Sequence, residues 1–246
     1  MERLQKVMAH AGIDSRRKCE QMILDGVVTV NGQTITELGY KVGPSDQIEV
    51  RGVPIYKEQP RYILLYKPRQ VISAVKDDKD RAVVTDYIQG IEERIYPIGR
   101  LDYDTTGLIL LTNDGEFANL LMHPKYKVDK VYVAKLEGIP DIKALRRLER
   151  GIVLDDKKTS AARARLLSSN VDNQTAVVEL TIHEGWNHQV KRMFEAIGYP
   201  VMKLKRERYG FLDLGRLQVG EWRELTAFEV NKLTQEAKSQ VKSENN

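Results

Sequence analysis

Apolar residues near the N-terminus recur at helical spacing, at Leu4, Val7, Met8 and Ala11, and Gly12 then supplies a stop. Asp14 or Ser15 is placed to cap a second helix that carries Cys19, Met22, Ile23 and Leu24. The period then shortens to two. Val27 to Ile35 alternates around Asn31-Gly32, which predicts a hairpin with a two-residue turn, and Gln47 to Val50 is a further extended piece. Pro54 and the polar run Lys57-Glu58-Gln59-Pro60 read as a linker. Residues 1–58 therefore predict a small α/β module.

From Arg61 the texture changes. Tyr62 to Tyr66 is a buried-strand pattern stopped by Lys67-Pro68, and Leu108-Ile109-Leu110-Leu111 is an apolar run suited to a strand covered on both faces. Asn113-Asp114-Gly115 is turn chemistry, followed by a short helix from Glu116 to Met122. Lys130 to Leu136, Ala176 to Ile182 and Val201 to Leu204 read as extended. Ile142 to Arg150 and Val190 to Ile197 read as helical. Strands and helices do not alternate regularly, which argues against a doubly wound parallel sheet. The expected fold class is α+β, on a mixed, mainly antiparallel sheet, with this second domain spanning 61–234. The segment 235–246 is polar, lacks periodicity, and is expected to be a disordered tail.

Composition narrows the function classes. The chain has 246 residues, 41% of them hydrophobic and 30% charged, and no apolar run approaches the roughly 20 residues of a membrane span. The first residues carry charge throughout, so no signal peptide is expected. Cys19 is the single cysteine, which rules out an intrachain disulfide and suits a reducing, cytoplasmic setting; its plain role is a small helix residue. His10, His123, His183 and His188 do not stand at zinc-ligand spacings, and neither GxxxxGK[ST] nor GxGxxG occurs, so no metal or cofactor is expected. Net charge is +4, which permits a polyanionic partner without requiring one. Basic residues bunch at Arg16-Arg17-Lys18, at Lys191-Arg192 and at Lys203, Lys205, Arg206 and Arg208. The first cluster lies in the first turn of the second helix, at the positive end of its dipole, where cations are disfavoured. A phosphate-binding helix end and a tolerated surface cluster both account for it.

Chemistry must then rest on carboxylate, Lys/Arg and Tyr. Asp102 and Asp104 lie in a loop-like stretch before the apolar run. Taken alone they are turn formers, or the acid/base pair of a glycosidase-like site. The longer motif points elsewhere. GRLDYDTTGLILLTNDG resembles the central motif of the RsuA/RluB-like family of ribosomal RNA pseudouridine synthases. YILLYKPRQVISA resembles the family's first motif, KVYVAKL its tyrosine motif, and EGWNHQVKRMFEAIGYPVMKLKRERYG its third. The N-terminal module resembles the S4 RNA-binding domain that the family carries, so the likeness covers roughly residues 2–230 in family order. Within the family it is greatest to the branch that acts on the large subunit.

The resemblance implies isomerisation of uridine to pseudouridine in ribosomal RNA, 23S rather than 16S, by a monomer that needs no cofactor. It implies that Asp102 is the essential carboxylate, that Arg100 fills the space left by the extruded nucleotide, that Tyr132 stacks on the flipped uracil, and that Lys191 pairs with Asp102. Arg16, Arg17, Lys18, Arg192, Lys205 and Arg206 are the expected RNA-binding residues. Two positions depart from the usual pattern: Gln70 stands where glycine is common, and Trp186 where a basic residue is common. The rival is a non-catalytic RNA-binding or ribosome-assembly protein, which has no need of Asp102, Tyr132 and Lys191 together.

Overall fold

The computed structural model describes residues 1–242, which pack as two units. The first comprises Met1–Arg61 with two short returns, Gly90–Ile95 and Asn113–Gly115. Helix α1 (Leu4–His10) and helix α2 (Arg16–Leu24) bury Leu4, Met8, Cys19 and Ile23 against Val28, Val30 and Ile48 of a four-stranded sheet. Its strands are β1 (Val28–Val30), β2 (Gln33–Thr34), β3 (Ile48–Val50) and β4 (Val53–Pro54), in the order β2-β1-β3-β4. Ser15 caps α2 by accepting the Lys18 amide at 3.4 Å. Asn31 and Gly32 both have positive φ, 51° and 79°, as a two-residue hairpin turn requires. The run read as a linker is fastened instead. The Glu58 carboxylate accepts the Arg94 amide at 3.1 Å and the Asn113 Nδ2 at 3.1 Å, and the Arg61 amide donates to Asn113 Oδ1 at 2.7 Å.

The second unit is built on one nine-stranded sheet. Its strands are β5 (Tyr62–Lys67), β6 (Tyr96–Ile98), β7 (Thr106–Thr112), β8 (Lys130–Glu137), β9 (Arg163–Asn170), β10 (Thr175–Ile182), β11 (Val201–Tyr209), β12 (Leu212–Asp213) and β13 (Trp222–Glu224). They run in the order β9-β10-β8-β11-β7-β5-β13, with β6 also on β7 and β12 also on β11. The one parallel pair joins β7 to β11, and all others are antiparallel. The helices are α3 (Gly115–Met122), α4 (Ile142–Glu149), α5 (Gln189–Ala196) and α6 (Ala227–Lys242). Leu108 to Leu111 are buried on both faces of β7, each such side chain contributing roughly 1.5–3 kcal/mol. Leu108 and Leu110 share a core with Phe117, Leu121, Tyr209 and Leu233.

Gly107 makes the parallel pair possible. Its φ is +116°, and a Cβ there would lie 2.2 Å from the Arg206 carbonyl oxygen, so only glycine lets β7 approach β11.

The expectation of a disordered tail over 235–246 is corrected for its described part. Helix α6 continues through Lys242, with Leu233 and Ala237 buried one turn apart. The call for 243–246 lies outside the described residues.

Candidate active site

Asp102 sits in the loop between β6 and β7, and that loop is held from beneath. Lys67, the last residue of β5, is fully buried, and its ammonium donates to the carbonyls of Pro68 at 2.9 Å, Asp102 at 3.2 Å and Thr105 at 2.8 Å. Burial pulls its pKa down to about 8, against the opposing pull of the Asp102 and Asp104 charges. Ser73 Oγ accepts the Leu101 amide at 3.0 Å and donates to the Leu101 carbonyl at 2.8 Å. The Gln70 amide donates to the Tyr103 carbonyl at 2.6 Å. Gln70 holds φ +60°, the conformation that explains glycine at this position in the family pattern.

Helix α5 brings the partners of these carboxylates. Its N-terminal neighbour His188 is left-handed, with φ 50°, and its Nε2 approaches Asp102 Oδ1 to 3.6 Å. One turn on, Lys191 Nζ lies 3.2 Å from Asp102 Oδ2 and 2.5 Å from Asp104 Oδ1. One ammonium thus serves two carboxylates. Burial pushes the Asp104 carboxyl up, and the Lys191 hydrogen bond and charge more than offset this, leaving it below its ordinary value. The approach to α5 is braced by Glu184, whose carboxylate accepts from the Ser160 amide, the Ser160 hydroxyl and Gln189 Nε2 at 2.8–3.0 Å.

Asp102 opens on a cleft of about 700 Å³, whose lining includes Arg100, Tyr132, Trp186, His188, Lys191 and Tyr209. Arg100 is exposed, whereas Tyr132, on β8, is 8% exposed. The structure therefore places all four expected catalytic residues around one cavity.

The expected RNA-binding residues divide. Arg16, Arg17 and Lys18 are exposed on α2, with Lys18 3.5 Å from Asp14. Arg192 is held by Asp155 at 2.6 Å, and Lys205 lies 3.3 Å from Glu207. Arg206 stands apart: it is 2% exposed and lines the cleft rather than the outer surface. The alternation of Leu204 and Arg206, both buried, against Lys203 and Lys205 is the sequence signal that separates it from its neighbours. Sequence reasoning also left Lys67, Lys130 and the His188 approach without a part. Lys130 is 9% exposed and donates to the His183 carbonyl at 3.0 Å; burial, then the Arg206 charge, pulls its pKa down to about 8.

Among the described residues no group of three or more His, Cys, Asp or Glu could hold a metal, and no helix is long and apolar enough to cross a membrane. A carboxylate fixed in a braced loop, with an ammonium against it and a tyrosine ring lining the same cleft, is the apparatus of an enzyme. Its family follows from likeness to known proteins. Residues 61–196 match the RNA pseudouridylate synthase family, and residues 2–48 match the S4 domain. The chain is 64% identical over 233 residues to ribosomal large subunit pseudouridine synthase B of Bacillus subtilis (strain 168), covering 95% of this chain and 96% of the relative. It is 43% identical to an uncharacterized RNA pseudouridine synthase of Aquifex aeolicus (strain VF5), covering 94% and 93%. A solved pseudouridylate synthase is 30% identical, with a TM-score of 0.66, and covers 95% of this chain and 100% of its own. The chain belongs to the RNA pseudouridylate synthase family.

Proposed function

We propose that this enzyme isomerises uridine to pseudouridine in ribosomal RNA, in the 23S rRNA of the large subunit, as a cytoplasmic monomer. Residues 1–58 form the RNA-binding domain, and the catalytic domain runs from 61 through helix α6. Asp102 is the catalytic carboxylate, and the observation that carries this is its 3.2 Å pair with Lys191 at the mouth of the cleft that Tyr132 lines.

The reaction is balanced within the substrate. The N1–C1′ bond breaks, the base turns, C5 bonds to C1′, the C5 proton leaves and N1 gains one. One carboxylate suffices, acting on the ribose or the base. Lys191, 3.2 Å away, holds it oriented. The base must first leave its stack, which costs a few kcal/mol, and the Tyr132 ring offers it a face in return. Arg100, exposed and lining the same cleft, fills the vacated space. The likeness to the large-subunit synthase of B. subtilis supports 23S rRNA as the target.

The test is Asp102→Asn with a 23S transcript carrying C5-tritiated uridine. The variant binds the transcript within about twofold of wild type and releases no tritium. Turnover within tenfold of wild type overturns the assignment of Asp102.

A further inference from the structure

Arg206 is the strangest charge in the molecule. Its guanidinium is buried under the cleft, and among the described residues no carboxylate pairs with it. Burial of an unpaired cation is costly, so the site must use it or satisfy it otherwise. Nε donates to the Leu108 carbonyl at 2.7 Å, Nη1 donates to the Tyr132 hydroxyl at 3.4 Å, and Nη2 is buried with no partner. Two tyrosine rings flank the group, with Cζ 5.2 Å from the Tyr209 centroid and 5.9 Å from that of Tyr132.

The two phenols are in opposite states. The Tyr209 hydroxyl donates a hydrogen bond to the Leu121 carbonyl at 2.8 Å, and burial pushes its pKa up. Tyr132 cannot do the same toward Arg206, because a guanidinium has no lone pair to accept with. The bond therefore runs one way: arginine donates and the phenol oxygen accepts. The O–H of Tyr132 points elsewhere, and among the described residues it has no other partner. Its ring lines the cleft that Asp102 faces.

Resting on the uridine-isomerase reading above, we propose that Arg206 is a positioning residue that acts through Tyr132. It holds the phenol with its proton turned into the cleft, as a hydrogen-bond donor to a carbonyl oxygen of the flipped pyrimidine. The adjacent positive charge strengthens that donor as negative charge builds on the ring during glycosidic cleavage, and a buried dipole fixed in advance needs no reorganisation at that moment. The site is arranged to keep the charge there. Gly107 carries β7 against the Arg206 backbone, and a register shift between Val131 and Tyr132 sets Arg206 opposite Tyr132.

The experiment is a double-mutant cycle on single-turnover rates at saturating enzyme, with the same 23S transcript. Arg206→Met slows the rate constant about a hundredfold and changes RNA affinity by less than about threefold. Arg206→Lys, which keeps the charge, recovers at least tenfold of that loss. In the Tyr132→Phe background, Arg206→Met costs less than about threefold, because the oxygen it acts on is gone. Equal losses in both backgrounds overturn the proposal and leave Arg206 a packing residue. If Arg206→Met does not fold, as judged by its thermal transition, Tyr132→Phe alone decides. This change removes one oxygen, and a rate within threefold of wild type shows that the hydroxyl donates nothing. Wild type and Asp102→Asn on the same transcript separate the two levels. No tritium release by wild type sinks the isomerase reading itself, whereas an active wild type with an indifferent Arg206 sinks the positioning role alone.

Discussion

At the scale of single residues, the catalytic loop owes its shape to a cation that never meets substrate. Lys67 closes three carbonyls, and two of them, Asp102 and Thr105, belong to the loop itself. Truncation leaves those buried acceptors unpaired, at about 1–3 kcal/mol each. Lys67→Met is therefore expected to lower the thermal transition and to slow turnover by releasing Asp102, with RNA affinity retained. The same residue marks stability with a pH signature. Its pKa is 10.5 in the unfolded chain and about 8 when folded. Between these values the unfolded chain holds a proton that the folded one has lost, so stability rises with pH across that window. A penalty of roughly 3 kcal/mol is complete below the window and relieved above it. The gap in denaturant stability between wild type and Lys67→Met should widen from pH 8 to 10; a constant gap argues that folding does not lower the Lys67 pKa. Asp102, Tyr132 and Lys191 were legible because each belongs to a motif. Lys67 and Arg206 were missed: a lysine ending an apolar strand reads as a stop, and the alternation that turns Arg206 inward is masked by the basic residues around it.

At the scale of elements, strands with a covered face declared themselves and those without did not. The apolar run of β7 announced a two-sided strand. Strand β9 lies at the sheet edge with nearly every residue exposed, so no alternation marks it; its pairing with β10 makes it a strand. Helix α6 was missed for another reason. Its polar sequence masks a start signal, Thr226 followed by Glu229, which forms a capping box. The Glu229 amide donates to Thr226 Oγ1 at 3.2 Å, and the Thr226 amide donates to Glu229 Oε2 at 2.8 Å. Arg223 of β13 clamps the same carboxylate with bonds of 2.7 and 2.9 Å, tying helix to sheet. The Arg223 hydrogen bond holds the Glu229 carboxyl below its ordinary 4.5, against the push of burial. A carboxylate lowered in the folded state contributes stability above 4.5 and loses it as pH falls through the folded value. Glu229→Gln should thus cost about 1–2 kcal/mol near neutrality. The loss should shrink in acid, where wild type is also protonated. Thermal melts across that range check it, and a deficit independent of pH would assign the effect to packing.

At the scale of the whole molecule, what matters is which of the 39 basic side chains remain free to meet a polyanion, because the net charge is only +4. Arg192 and Lys205 lie against acidic neighbours, and Arg206 is buried, so the third motif offers less positive surface than its sequence suggests. In the N-terminal unit the balance differs. Arg16 and Arg17 are exposed at the first turn of α2, no acidic residue shares that turn, and the helix end adds its own unpaired amides. A cation already paired within the protein exchanges one partner for another on binding phosphate. A free one releases a counterion from the RNA, and only the second steepens the salt dependence. Replacing Arg16, Arg17 and Lys18 with Gln is therefore expected to reduce the slope of log affinity against log salt by about two units. Arg192→Gln should reduce it by less than half a unit, and neither change should alter the single-turnover rate once enzyme saturates the RNA. Filter binding from low to moderate salt gives both slopes. An unaltered slope in the triple variant returns its cluster to a solvated surface, and a steep effect at Arg192 instead shows that the Asp155 pair opens to receive the RNA.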